Sequence, residues 1–202
     1  MDRPDRLPRL HDAAYQGRAW VHWSMGITNR AQGWLNPMTH AAFRELLLHS
    51  AFRYHLYCPA YCLMPDHVQL LWMGTAASSD QKLAMRFLRR HWNAVLALHG
   101  VSLQPQAYDR VLRRDEMSGD SFEDMVLYIR KNPECAGLVK AWQDWEFGGA
   151  MVPGYPELPI YPAGDFWHRF WTIYHKEVRR QEDLRKGIPR EEDGSPERPE
   201  AH

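Results

Sequence analysis

His55-Leu56-Tyr57-Cys58-Pro59-Ala60-Tyr61-Cys62-Leu63 and His67-Val68-Gln69-Leu70-Leu71-Trp72-Met73 are two β-prone stretches separated by Met64-Pro65-Asp66, a three-residue break suited to an antiparallel hairpin. Upstream, residues 18–29 (RAWVHWSMGITN) are rich in aromatic and aliphatic side chains and run into Arg30-Ala31-Gln32-Gly33, which reads as a strand and a turn. Between them Thr39 is placed to cap a helix. Its apolar positions Ala42, Phe43, Leu46, Leu47 and Phe52 recur at helical spacing, and it ends near Tyr54. Downstream, Ser79-Asp80 opens a second helix to about Leu98, with Leu83, Phe87, Val95 and Leu98 among its apolar positions and Gly100 at its end. Tyr108 to Arg113 then reads as a short strand. Asp120 or Ser121 caps a third helix, SFEDMVLYIRKN, which Pro133 and Ala136-Gly137 should stop.

The resulting order, βαββαβα, predicts an α+β, ferredoxin-like domain in which an antiparallel sheet carries two helices on one face. Beyond Val139 the Trp-, Gly- and Pro-rich run WQDWEFGGAMVPGYPELPIYPAGDF suits an ordered loop wrapping the domain. Asp165 is placed to cap a last helix, FWHRFWTIYHKEVRRQ. From about residue 187 the chain carries charge and Pro without apolar anchors and reads as a disordered tail. The chain thus divides into an N-terminal arm (1–17), the α+β domain (18–147), a C-terminal Trp/Pro-rich wrap and helix (148–186) and the tail (187–202).

Composition narrows the classes. Apolar residues make up 45% of the 202 and nine are Trp, ample material for a core, so wholesale disorder is excluded. Twenty-five basic residues balance twenty-five acidic ones, so nucleic-acid binding must rest on local clustering. Cys58, Cys62 and Cys135 are an odd number behind a charged, Pro-containing N-terminus, which argues for reduced thiols in a cytoplasmic protein. Cys58 and Cys62 lack a second Cys/His pair at zinc-finger spacing and read as small buried hydrophobes. No apolar run approaches the roughly 20 residues of a membrane helix, so no membrane partner is expected.

Alternation along the second hairpin strand puts His67 and Gln69 on one face. An imidazole nitrogen and an amide oxygen are competent ligands for a divalent cation, Mg²⁺ or Mn²⁺ better than structural zinc, although a hydrogen-bonded surface His is the competing reading. On the third helix Tyr128 and Asn132 lie one turn apart and project together. A tyrosine hydroxyl can attack a phosphodiester whose charge a cation draws away, with the Asn132 oxygen as a third ligand. The competing reading packs Tyr128 on the sheet and uses Asn132 to cap the helix before Pro133.

Tyr61-Cys62-Leu63-Met64-Pro65-Asp66-His67-Val68-Gln69-Leu70-Leu71 resembles the histidine motif of the REP-associated tyrosine transposases, relatives of the insertion sequence 200-like single-tyrosine HUH transposases. Thr28-Asn29-Arg30, Asp109-Arg110-Val111-Leu112-Arg113 and Tyr128-Ile129-x-x-Asn132-Pro133-x-x-Ala136-Gly137-Leu138-Val139 match the same family in order and spacing, so the resemblance covers residues 18–147. It implies an HUH transposase-like catalytic domain that cleaves and rejoins single-stranded or hairpin DNA through a 5′-phosphotyrosine, as a monomer or homodimer. It further implies Tyr128 as nucleophile and His67, Gln69 and Asn132 as ligands of Mg²⁺ or Mn²⁺. Gln69 stands where the family has its second histidine, and a glutamine oxygen also coordinates a hard cation. The departure leaves a second expectation beside the first, a domesticated DNA-hairpin binder with weakened or lost cutting. Asp66 either orients His67 or makes the turn.

For DNA contact, Lys82, Arg86, Arg89 and Arg90 on the second helix and Arg110, Arg113 and Arg114 around the next strand form a locally basic stretch. A solvated helix face is the alternative for Arg86 and Arg90. Trp23, Trp34 and Trp72 are either base-stacking or core residues, and Phe166, Trp167, Phe170, Trp171 and Tyr174 read as one packed helix face.

Overall fold

The computed structural model describes residues 10–112, 120–156, 158 and 165–187. The hairpin forms from β2 (Leu56–Met64) and β3 (His67–Gly74), with Met64 paired to His67. The turn is therefore Pro65-Asp66 alone, not the three residues expected, because Met64 stays extended and buries its side chain. Strand β1 (Trp20–Gly26) pairs antiparallel with β3, and the short β4 (Tyr108–Val111) lies along the other edge of β1.

A fifth strand, β5 (Gly148–Met151), pairs antiparallel with β2 and corrects the reading of these residues as loop. Its glycines disguised it. A Cβ on Gly148 would stand 3.2 Å from the Tyr61 carbonyl oxygen, a tight contact, so close approach to β2 favours the residue type that weakens a strand signal. Among the described residues the sheet order is β4-β1-β3-β2-β5, of which β4-β1-β3-β2 is the expected ferredoxin-like part.

Alternation along the strands splits the interior in two. Val21, Trp23, Met25, Val68, Leu70 and Trp72 pack against α1 (Pro37–Arg53) and α2 (Gln81–Ala97). Trp20, Leu71 and Met73 face α3 (Asp120–Cys135) and α4 (Phe166–Lys186), with Phe122, Val126, Ile129, Phe166 and Phe170 closing that side. Trp23, Trp34 and Trp72 are buried in the first of these cores and are not available to bases. Phe166, Phe170 and Tyr174 form the buried face of α4 as expected, and Cys58 and Cys62 are buried in β2. Burial pushes both thiols up, Cys62 to about 12.

Several helix details differ from expectation. Asn36, not Thr39, caps α1: its side chain accepts from Met38 and Thr39 N–H, while Thr39 Oγ1 accepts from Asn36 N–H at 2.9 Å. Phe52 is exposed because the buried stripe runs through Phe43, Leu47, Ser50 and Ala51. In α2 the buried stripe is Ala84, Met85, Leu88, Trp92 and Leu96, which leaves Leu83 and Leu98 in solvent. Asp165 occupies the cap position of α4 without a side-chain cap bond. Helix α3 continues two residues past Pro133, whose missing N–H costs only one bond in the last turn, and ends before Gly137 at φ +70°. The expected wrap thus holds a strand, and of the tail expected over 187–202 Gly187 is the left-handed C-cap of α4 (φ 71°), while residues 188–202 lie outside the described residues.

Candidate functional site

The face of β3 that carries Leu71 and Met73 under α3 and α4 also carries Gln69 and His67, which emerge at the end of the strand. Asp66 in the turn accepts from His67 Nδ1 at 2.7 Å, which leaves Nε2 with its lone pair toward the site. Arg30 Nε lies 3.0 Å from the other Asp66 oxygen. Asn29 and Arg30 hold positive φ (56° and 52°), so a left-handed turn after β1 presents Arg30 to Asp66. Asp66 therefore both makes the turn and orients His67.

Helix α3 delivers the other half. Pro133 lacks an N–H for the Ile129 carbonyl, and Asn132 Nδ2 lies 3.4 Å from that oxygen, 3.1 Å from the Tyr128 carbonyl and 3.1 Å from Gln69 Oε1. Asn132 thus both caps the turn, as the competing reading had it, and reaches the sheet. Arg130, buried between them, donates to the Pro59 carbonyl at 3.1 Å and ties α3 to the bulged part of β2. Tyr128 does not pack on the sheet. It is 57% exposed, with its ring edge-on to His22 at a centroid distance of 6.1 Å.

His22 went unnoticed in the sequence. Its Nε2 lies 3.3 Å from Gln69 Oε1, and only 6% of the residue is exposed. Burial lowers its pKa to about 4, opposed by the hydrogen bond with Gln69 and aided by the Arg110 charge, so the ring is neutral near pH 7. Alternation along β1 sets His22 beside Trp20, but its nearness to Gln69 depends on register: Gly26 pairs with His67, Ser24 with Gln69 and His22 with Leu71. His22 and Gln69 are diagonal neighbours on one face.

Gln69 Nε2 lies 3.2 Å from His67 Nε2, so imidazole and carboxamide groups from β1, β3 and α3 meet around one amide. Mixed imidazole nitrogen and amide oxygen donors fit Mn²⁺ or Mg²⁺, and among the described residues no trio of His, Cys, Asp or Glu gathers as structural zinc would need.

The expected DNA contacts divide between the two faces of the sheet. Arg110 pairs across from His22 and is exposed on the side of the site. Arg86 and Arg90 are exposed on α2, which covers the opposite face. Lys82 is bound to Asp12 at 2.5 Å and lies over the Tyr15 ring, while Arg89 donates to the Gln104 and Pro105 carbonyls. Arg113 and Arg114 lie outside the described residues.

No protein-family model and no curated protein matches the chain. A solved structure of a REP-associated tyrosine transposase bound to a REP hairpin does match, with a TM-score of 0.61 over 80% of this chain and 93% of that one, at 19% identity. The two chains share a fold. Among the described residues that fold is a five-stranded antiparallel sheet with four α-helices. Among the described residues no helix is long and apolar enough to cross a membrane.

Proposed function

We propose that this chain is a REP-associated tyrosine transposase that binds hairpin DNA and cuts and rejoins its single-stranded flank through Tyr128. The observation that carries this reading is the meeting of His67, Gln69 and Asn132 beneath an exposed Tyr128, although the residues come from two motifs about sixty positions apart. The similarity to a transposase solved with a REP hairpin supports the DNA partner.

In the proposed reaction the Tyr128 hydroxyl attacks the scissile phosphorus, an Oη–P bond forms as the P–O3′ bond breaks, and the leaving 3′ oxygen is protonated while the phenol loses its proton. The ester stores the energy of the broken phosphodiester, so a 3′ hydroxyl can later attack it and restore both DNA and tyrosine. A divalent ion held by His67 Nε2 and the oxygens of Gln69 and Asn132 would supply charge stabilisation at the phosphate. Asp66 and Arg30 hold the His67 ring in the tautomer that offers Nε2. Arg110, on the same face, is placed for the phosphate of an incoming strand.

One observation favours the alternative, a hairpin binder without cutting. The Gln69 amide turns its nitrogen to His67 and its oxygen to His22 and Asn132, so the polar groups satisfy one another. The test is adduct formation on a labelled hairpin oligonucleotide with a single-stranded flank, across a Mn²⁺ titration. Wild type should form a covalent adduct, and Tyr128→Phe, which keeps the ring and loses the oxygen, should form none while still binding. An adduct in Tyr128→Phe would remove Tyr128 as nucleophile. Tight hairpin binding with no adduct at any Mn²⁺ concentration would establish the binder.

A further inference from the structure

We propose that His22 is a ligand of the divalent ion at this site and supplies the second imidazole that Gln69 does not. The inference deepens the reading above and rests on it. His22 Nε2, Asn132 Nδ2 and His67 Nε2 lie 3.3, 3.1 and 3.2 Å from the two ends of the Gln69 amide. Neighbouring donors around a small divalent ion with bonds of about 2.1 Å stand about 3 Å apart, and the His22 and Asn132 separations from Gln69 Oε1 are of that size, while His67 meets the other end of the same amide. A half-turn of the Asn132 carboxamide alone brings its oxygen beside Gln69 Oε1, and with the His22 proton moved to Nδ1 these two oxygens and His22 Nε2 face one another as donors at one end of the Gln69 amide, with His67 Nε2 at the other end.

The position of His22 adds to this. It sits on β1 with its ring perpendicular to that of Tyr128 at a centroid distance of 6.1 Å, nearly buried, with Leu71 and Arg110 beside it in register. A ligand there places the ion between the sheet and the nucleophile. The donor set also has a consequence for selectivity, because imidazole favours Mn²⁺ over Mg²⁺ more strongly than an amide oxygen does.

Pulsed EPR of the full chain loaded with Mn²⁺ counts the imidazole nitrogens bound to the ion. Two are expected in wild type and one in His22→Phe, with Mn²⁺ affinity in the variant at least about tenfold weaker and its preference for Mn²⁺ over Mg²⁺ reduced. If a phenyl ring prevents folding, His22→Gln should give the same count of one. A single imidazole in wild type that disappears in His67→Ala would overturn the assignment of His22 and leave the metal reading standing. No Mn²⁺ binding by wild type would overturn both.

Discussion

Gln69 concentrates the chemical question in one side chain. Its amide touches His67, His22 and Asn132, so its identity sets how strongly the site holds a cation and how the neighbouring groups satisfy each other without one. Imidazole is generally a stronger ligand for Mn²⁺ than an amide oxygen. Gln69→His should therefore raise adduct formation or lower the Mn²⁺ concentration for half-maximal cleavage by about tenfold, and Gln69→Ala should do the reverse. The Mn²⁺ titration of the adduct assay decides it: an unchanged midpoint in both variants would remove Gln69 from the ligand set.

At the scale of elements, the basic stretch that runs continuously in sequence is cut in two by the sheet. Arg110 on β4 shares the face of His22 and Tyr128, whereas Arg86 and Arg90 project from α2 on the other side. Arg110→Ala should slow adduct formation at saturating DNA, because a cation near the scissile phosphate is lost. Combined Arg86→Ala and Arg90→Ala should leave that rate within about twofold and alter only the salt dependence of hairpin affinity, if DNA reaches that face. Single-turnover kinetics at saturating hairpin separate the two. A slower rate from the α2 pair with no effect of Arg110→Ala would reverse the assignment of faces.

Across the whole molecule, a sheet covered on both faces shelters a histidine on each side. His22 lies on the α3 side and His40 on the α1 side, where His40 Nε2 meets the Tyr61 hydroxyl at 3.0 Å and Arg44 donates to the same oxygen at 2.9 Å. Burial lowers both histidines to about 4, helped for His40 by the Arg44 charge. Each binds its proton in the unfolded chain near pH 6.5 and in the folded chain only near pH 4, so the stability each contributes is fully present above about pH 6.5 and is lost as pH falls toward 4. Urea unfolding of the metal-free chain should show its midpoint falling over this window, with a shallower slope in His40→Gln, which keeps an acceptor for Tyr61. Equal slopes in the two proteins would show that His40 is not buried neutral.

Much of this was legible in the sequence because it depends on local rules. Strand alternation set His67 and Gln69 on one face, helical spacing set Tyr128 above Asn132, and the order of elements led to the ferredoxin-like sheet. The phase of an apolar stripe was less secure. In α2 nearly every turn offers two candidate residues, and only packing on the sheet chose Leu88 and Trp92 over Leu83 and Leu98. Strand β5 was hidden because its glycines carry no strand propensity, although Gly148 suits the close approach to β2. Strand pairing likewise decided that His22 belongs to the site and that Arg110, not Arg86 or Arg90, shares its face. Spacing along one element is fixed by backbone geometry, whereas register between strands and the face a helix covers come from side chains packing across the whole chain, so only the tertiary structure holds them.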